Sequence, residues 1–112
     1  MLLKTQRLQK DIEIKEVLHK GKYISSSKLT IKWLSNKTKY TKLALVVSKK
    51  IDKRATKRNQ IRRVLREHLR QNYLLKTGNN IVIITRQGIE NLDNKQIRQE
   101  LDKTISKSKI IN

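Results

Sequence analysis

The chain of 112 residues has no cysteine, no proline, no phenylalanine and only three glycines. Without cysteine it can form neither a disulfide nor a thiolate metal site. No stretch approaches the roughly 18 consecutive apolar residues that a transmembrane helix requires. The N-terminal segment MLLKTQRLQKD turns polar after its first three residues, so we expect no signal peptide. We therefore expect a cytoplasmic protein with one domain, residues 1–112, with no membrane partner and no deep pocket for a small-molecule substrate.

Acidic residues are also scarce, because nine Asp and Glu face 28 Lys and Arg, which leaves a formal net charge of +19. Repulsion within such a field strains a compact fold and indicates a polyanionic partner. Nucleic acid is the leading candidate, since each phosphate that a protein neutralises releases condensed counterions. An anionic membrane surface is the weaker alternative.

Hydrophobic periodicity predicts the element order α-β-β-β-α-β-α. The predicted helices span about 9–20, 56–75 and 93–107, and the predicted strands span about 22–25, 28–35, 42–48 and 81–85. Gly21 suits the stop of the first helix, and Asp93 or Asn94 suits the N-cap of the last. Trp33 alternates with apolar residues along its strand and is expected in the core. We expect an α+β fold in which helices pack on a mixed sheet, with strands 42–48 and 81–85 in parallel.

The predicted central helix carries a dense positive charge, since ten of the 22 residues from Lys49 to Arg70 are Lys or Arg. Residues at helical spacing turn one face toward the sheet: Ile61, Val64, Leu65, His68 and Leu69. Two neighbouring rows lie on the other side of the helix. The first row holds Arg58, Arg62, Arg66 and Arg70, and the second holds Asn59, Arg63 and Glu67. Guanidinium groups bind phosphates bidentately and stack on bases, so these rows indicate RNA or DNA binding. The alternative is an ordinary solvated face, but such a face usually alternates in sign.

The segment SKKIDKRATKRNQIRRVLRE is similar to the signature of the bacterial ribonuclease P protein component, in which Ser-Lys-Lys and a short loop precede A-x-x-R-N-x-x-K-R-x-x-R-E. The residues that fall in register are Ser48, Lys49, Lys50, Ala55, Arg58, Asn59, Arg63, Arg66 and Glu67, and Arg62 stands where the family usually has Lys. The segments RLQKDIEIKEVLHKG and IVIITRQG resemble further family motifs, so the resemblance covers nearly the whole chain. It implies a two-layer α/β sandwich like the second domain of ribosomal protein S5, with a left-handed crossover, a rare hand.

The resemblance implies a subunit of ribonuclease P, the RNA-based endonuclease that removes the 5′ leader from precursor tRNA. In that ribonucleoprotein the catalytic RNA, with Mg²⁺ that the RNA mainly binds, hydrolyses the phosphodiester. The protein broadens substrate use and lowers the Mg²⁺ requirement, with no catalytic residue or metal ligand of its own. Its partners are then the catalytic RNA and precursor tRNA.

The resemblance also implies two groups of binding residues. Those expected to bind the catalytic RNA are Arg58, Asn59, Arg62, Arg63, Arg66 and Arg70. Those expected to bind the single-stranded leader, in a cleft between the first helix and the sheet, are Ile14, Leu18, Ser48, Lys49, Lys50, Lys53, Arg54 and Arg86. The family has Phe where this chain has Ile14 and Leu18, and an aromatic ring stacks on an unpaired base for about 1–3 kcal/mol. We therefore expect leader binding to rest more on charge and to depend steeply on salt, with Tyr23 near enough to contribute.

Two other functions compete with this interpretation. A structural rRNA-binding protein of similar fold would share the charge, but it has no need of Asn59 and Glu67 in that register. A self-sufficient nuclease would need a catalytic constellation such as paired histidines. His19 lies near a helix C-terminus and His68 near the apolar stripe, so structural roles are expected for both. The acids Asp11, Glu13 and Glu16 are expected to be solvated, and Asp52 is a weak candidate for a metal contact at the RNA interface.

Overall fold

The computed structural model describes residues 5–7, 11–108 and 110, and these contain five strands and three α-helices. In chain order the elements are β1 (Thr5–Arg7), α1 (Asp11–Lys20), β2 (Lys22–Ser25), β3 (Leu29–Ser35), β4 (Thr41–Val46), α2 (Ala55–Asn72), β5 (Asn79–Thr85) and α3 (Asn94–Ser106). A short 3-10 turn at Ile89–Asn91 precedes α3. The predicted order α-β-β-β-α-β-α is confirmed. The sequence does not predict β1, because three polar residues carry no readable period.

The five strands form one mixed sheet in the order β1-β4-β5-β3-β2. β4 and β5 run parallel and are joined through α2, which confirms the predicted strand–helix–strand step. β3 is antiparallel to both β5 and β2, and β1 adds a parallel edge beside β4. Because β4 and β5 are parallel and Val46 pairs with Ile84, the segments that follow these two strands leave the sheet at the same end.

Helices pack on both faces of the sheet. α2 and α3 cover one face, where Ile81 and Ile83 of β5 join the larger core. α1 covers part of the other face, where Val17 and Val82 are buried together. β5 is therefore buried on both faces, which explains why its sequence is continuously apolar rather than alternating. Trp33 packs against the larger core, as predicted.

Gly21 directly follows the last residue of α1, as predicted, but its φ is not the reason. Among the described glycines, a positive φ occurs at Gly78 and Gly88. A Cβ at Gly21 would instead lie 2.5 Å from the Val17 carbonyl oxygen and 2.8 Å from that of Trp33. Glycine is therefore needed here so that the chain can turn from α1 into β2 against the backbone of β3.

The ends of α2 and α3 differ in how well the sequence predicts them. α2 ends at Asn72 because Tyr73 is extended, with φ of −131°. Leu75 continues the apolar helical pattern of the sequence, yet it enters the core from the segment after the helix. Hydrophobic periodicity cannot tell whether Leu75 belongs to the helix or to the segment after it, since the residue faces the core in either case. α3 begins with a capping box, in which Asp93 accepts from the Gln96 N–H at 2.8 Å and its own N–H donates to the Gln96 side chain at 3.0 Å.

Candidate nucleic-acid interface

The outer face of α2 is rich in arginine. Its inward stripe is buried as predicted, at Ile61, Val64, Leu65 and Leu69. The exposed side carries Asn59, Arg63, Arg66 and Arg70. Within the described residues, no acidic side chain lies within ion-pair distance of these three arginines. In the described ranges these three arginines are therefore unpaired, and Glu67 is the one acid along this helix of about 27 Å.

Two of the arginines expected to bind the catalytic RNA contact the preceding loop of the protein. Arg58 Nη1 donates to two loop carbonyl oxygens, that of Asp52 at 3.0 Å and that of the next residue at 2.9 Å. Arg62 Nη2 donates to the Val47 carbonyl oxygen at 3.2 Å, and its Nη1 donates to Asn59 Oδ1 at 2.7 Å. These bonds tie the loop between β4 and α2 to the first turns of the helix. Arg58 and Arg62 thus have a structural role, which the even spacing of the row does not reveal.

Asp52 is paired with Arg54 on the same loop. Arg54 Nε and Nη2 donate to Asp52 Oδ1 and Oδ2 at 3.0 and 2.9 Å. The backbone N–H of Arg54 also donates to Asp52 Oδ1, at 2.9 Å. The side-chain bond from Arg54, followed by the backbone bond, lowers the pKa of Asp52 to about 2. Asp52 is therefore ionised at neutral pH and committed to Arg54. The part of the chain that the structure describes has no group of three or more potential metal ligands.

On the opposite face of the sheet, α1 leaves a partly exposed apolar strip. Val17 and Val82 are buried at its centre, and Ile14 and Leu18 are half-buried beside them. The sheet residues that pack around this pair and stay partly exposed are Leu34, Ala44, Val46 and Ile84. Ile14 and Leu18 therefore lie on the boundary between α1 and the open sheet, and the sequence alone indicates only that they face inward.

Polar contacts from the strands hold α1 at both ends. Glu13 accepts from Lys42 Nζ at 3.2 Å and from Asn80 Nδ2 at 3.3 Å. Near the other end, Lys32 Nζ donates to the Leu18 carbonyl oxygen at 3.2 Å. The expectation that Glu13 is solvated is wrong, because its partners come from β4 and β5 and depend on their register.

Most of the cations expected to bind the leader collect at one end of the sheet. The loop after β4 carries the exposed residues Ser48, Lys49, Lys50 and Lys53, and Arg54 follows at the start of α2. Arg86 is exposed just after β5, at the same end. Its Nη1 donates to the Ser26 carbonyl oxygen at 2.9 Å and its N–H donates to that of Lys28 at 2.8 Å. The parallel pairing of β4 with β5 therefore brings together residues that are distant in sequence.

Tyr23 places an aromatic ring at the edge of the face that α1 covers. It lies on β2 directly opposite Lys32, and the Lys32 Nζ is 5.8 Å from the centre of its ring. Since this Nζ also reaches α1, the ring is near the helix, and 67% of Tyr23 is exposed. An exposed tyrosine of this kind is a feature of recognition surfaces rather than of cores.

The arginine face, the basic loop and the partly covered sheet agree with the comparison to known families. The family model described as Ribonuclease P matches residues 2–109. The chain belongs to the ribonuclease P protein family. It therefore takes part in an RNA-processing ribonucleoprotein enzyme, and RNA binding and tRNA processing are the activities in which the family is engaged.

Individual ribonuclease P proteins show the same relationship over nearly the whole chain. The ribonuclease P protein component of Histophilus somni (strain 2336) is 39% identical over 97 residues, which are 87% of this chain and 82% of that protein. That of Clostridioides difficile (strain 630) is 32% identical over 109 residues, 96% and 95% of the two chains. The RNase P protein of Staphylococcus aureus superposes with a TM-score of 0.85 at 26% identity and covers 97% of this chain and 100% of its own. That of Thermotoga maritima, in complex with 1-(4-fluorophenyl)-2-thiourea, has a TM-score of 0.81 at 25% identity, with coverages of 92% and 100%.

The ribonuclease P fold keeps the two histidines apart. His19 is exposed on α1 and His68 lies on α2, on opposite faces of the sheet, so they cannot act as a catalytic pair. His68 Nε2 instead bonds to Asp102 Oδ1 at 2.7 Å, and Tyr73 donates to the same oxygen. Burial, followed by the bond to Asp102, raises the pKa of Tyr73 to about 12.

Among the described residues, no helix is long and apolar enough to cross a membrane.

Proposed function

We propose that this protein binds the catalytic RNA of ribonuclease P through the outer face of α2 and the single-stranded 5′ leader of precursor tRNA through the strip beside α1. The catalytic RNA, with Mg²⁺ bound mainly by that RNA, then hydrolyses the phosphodiester and releases the mature tRNA 5′ end. The protein supplies affinity and position, and the RNA supplies the chemistry.

The uncompensated arginines support the first half of this proposal. Arg63, Arg66 and Arg70 present planar forks at the spacing of successive helical turns, and each fork matches a phosphate group. Arg58 and Arg62 act differently, since they orient the loop and Asn59 from the protein side. We expect their loss to weaken RNA binding through the loop as well as through lost charge.

The open side of α1 supports the second half. A single strand needs a groove with positive charge for its backbone and a surface for its bases. The half-buried Ile14 and Leu18 offer apolar contact, while Lys49, Lys50 and Arg86 supply charge at the end of the sheet. Without aromatic residues at the two α1 positions, the electrostatic share of leader binding is large, so affinity for the leader falls steeply with added salt.

One observation carries the proposal: an arginine face on α2 lies on one side of the sheet, and a partly exposed apolar strip beside α1, with cations at the end of the sheet, lies on the other. A protein that bound only one RNA would need only one of them. Two surfaces on opposite sides of one sheet suit a subunit that connects the catalytic RNA to its substrate.

Reconstitution tests the proposal. The protein is mixed with a bacterial ribonuclease P RNA and a precursor tRNA at a Mg²⁺ concentration where the RNA alone is slow. Cleavage should be faster or substrate binding tighter with protein, and the gain should be larger for a precursor with a leader than for one whose leader is cut to one nucleotide. Cleavage by the protein without RNA would indicate a protein nuclease. Tight RNA binding with no gain in cleavage would favour a structural RNA-binding protein.

A further inference from the structure

A groove with a volume of about 390 Å³ runs between α2 and α3. Its walls contain two arginines from different helices, one acid, one valine and three polar side chains: Arg63, Val64, Glu67, His68, Gln71, Asn94 and Arg98. Arg98 lies on α3, outside the segment that carries the ribonuclease P signature. Within the described part of the chain, neither Arg63 nor Arg98 has a carboxylate within ion-pair distance.

Contacts at both ends of the groove fix the alignment of its walls. Gln60 Nε2 donates to Asn94 Oδ1 at 2.9 Å, and His68 Nε2 bonds to Asp102 Oδ1 at 2.7 Å. Both contacts join residues 34 positions apart, so α2 and α3 run in the same direction along the groove. Arg98 lies midway between the two contacts on α3.

The same alignment places the two arginines at one level. Arg98 is one helical turn from each end contact, and the 34-residue offset puts it opposite Val64. Arg63 is the neighbour of Val64 and lines the same groove. Two guanidinium groups therefore face one space from opposite walls, and Glu67, which also lines this space, is within ion-pair distance of neither. An anion between the two arginines would lower their mutual repulsion.

We propose that this groove binds one phosphate of the RNA partner between Arg63 and Arg98, so that the RNA-binding surface continues from α2 onto α3. The inference rests on the proposed function, which assigns the α2 face to the catalytic RNA, and it adds a second helix to that interface. The forks of two arginines satisfy a phosphate from two directions. The Gln71 side-chain amide and the Nδ2 of Asn94, whose Oδ1 accepts from Gln60, can donate to sugar hydroxyls or base edges, which a groove of this volume admits.

Glu67 decides how the strand lies in the groove. It is one turn beyond Arg63 on α2 and lines the groove on the side toward His68. Its carboxylate repels phosphates, so the backbone crosses the groove at the level of the two arginines and does not run along it toward Glu67. The groove therefore takes one phosphate, and the neighbouring nucleotides lie outside it.

The experiment measures binding of the full-length protein to ribonuclease P RNA over a range of salt concentrations. Arg98→Gln should raise Kd about tenfold at 0.15 M salt. It should also reduce the slope of log K against log salt by about 0.7–0.9, the value for one phosphate contact. Arg98→Lys, which keeps charge but loses the fork, should fall between Arg98→Gln and the unaltered protein.

Lys107→Gln is the matched control. It removes the same charge from an exposed residue nine positions further along. That is about 13 Å along the helix axis, beyond the Debye length of about 8 Å at this salt. Its Kd should change less than twofold.

The outcomes separate this inference from the proposed function. If the unaltered protein does not bind the catalytic RNA, the proposed function fails. If it binds but Arg98→Gln and Lys107→Gln have the same Kd and salt slope, α3 is not part of the interface and the inference is wrong. Thermal unfolding of each variant guards against misfolding. If Arg98→Gln is destabilised, the test of the phosphate contact uses Arg98→Lys instead. If Arg98→Lys is folded and has the same Kd and salt slope as the unaltered protein, the proposed phosphate contact is wrong.

Discussion

Replacing Glu100 with Ala should destabilise the protein by about 2–3 kcal/mol, because this carboxylate joins α3 to the turn before β3. A single oxygen, Glu100 Oε2, accepts from Ser26 Oγ at 2.5 Å, from the Lys28 N–H at 3.1 Å and from Ser27 Oγ at 3.4 Å. Bonds to a charged, half-buried acceptor contribute about 1.5–3 kcal/mol each, but these three share one oxygen and do not add. Since Thr104 and the backbone of Leu29 also bond to the hydroxyl of Ser26, we expect this hydroxyl to keep these partners after the change.

The midpoint of thermal unfolding should then fall by about 6–18 °C, the range that domains of this size show for such a loss. Glu16→Ala is the control, because Glu16 is exposed on α1 and has no bond to another described side chain. Both variants raise the net positive charge by one, so their difference isolates the bonds of Glu100. If the two midpoints agree within the error of the measurement, the argument for Glu100 is wrong.

The pH dependence gives a second, independent check on Glu100. Burial raises the pKa of this carboxyl, but the bonds from Ser26, the Lys28 N–H and Ser27, together with the nearby charge of Lys103, outweigh it, so the pKa lies below its ordinary value of 4.5. A lowered folded-state pKa stabilises the protein fully above 4.5, and this contribution is lost as pH falls through the folded-state pKa. Glu100→Gln keeps one acceptor oxygen and no charge. Its stability deficit, measured by urea unfolding, should therefore be present at pH 7 and shrink below pH 4.5, and a deficit that grew in acid would contradict this explanation.

Three further measurements test the interface. Arg62→Ala should lower the free energy of unfolding by about 1–2 kcal/mol, because it loses the bond to the Val47 carbonyl. Arg66→Ala, the control, should change this free energy by less than about 0.5 kcal/mol. If urea unfolding gives the two variants equal values, the loop contact has no effect on stability. Tyr23→Leu should weaken leader-dependent binding of precursor tRNA by about fivefold or more. Tyr40→Leu should leave it unchanged, although Lys39 Nζ lies 5.9 Å from the Tyr40 ring in a similar arrangement; the same loss in both would assign the effect to general packing. Sodium sulfate should raise the thermal midpoint more than sodium chloride of equal ionic strength, since a divalent anion relieves the repulsion among 28 cations, and identical midpoints would argue against strain from charge.

Much of the fold can be predicted from the sequence, because buried residues recur with the period of the helix or strand that they belong to. The stripe at Ile61 and Leu65 predicts which face of α2 packs on the sheet, and the run 81–85 predicts a strand buried on both faces. Hydrophobic periodicity does not predict the structure where a residue is buried outside a regular helix or strand, or where a residue is needed for another reason. Leu75 is buried in an extended segment after α2, and Gly21 is needed for a close approach between backbones rather than for its φ.

The candidate site is less predictable, because its residues are set by register and by loop shape. The row Arg58, Arg62, Arg66 and Arg70 is uniform in sequence, but the first two contact loop carbonyls and the last two stay exposed. The pairing of Glu13 with Lys42 and the bond between Arg86 and Ser26 join segments far apart in the chain. The sequence contains no signal for them, since they depend on which strands are neighbours.

The two interfaces should act independently, because they lie on opposite sides of a packed sheet. Arg63 is on α2 and Tyr23 is on β2, beside α1. Residues that share no partner and are separated by more than about 7–10 Å usually have additive effects within about 0.5 kcal/mol. We therefore expect the double variant Arg63→Ala, Tyr23→Leu to lose the sum of the two single losses in free energy, measured as kcat/KM for a precursor tRNA with a full leader at subsaturating protein. With a precursor whose leader is cut to one nucleotide, only Arg63→Ala should have an effect. A coupling energy above about 1 kcal/mol would mean that catalytic RNA and leader meet on one surface, and the assignment of two separate surfaces would then be wrong.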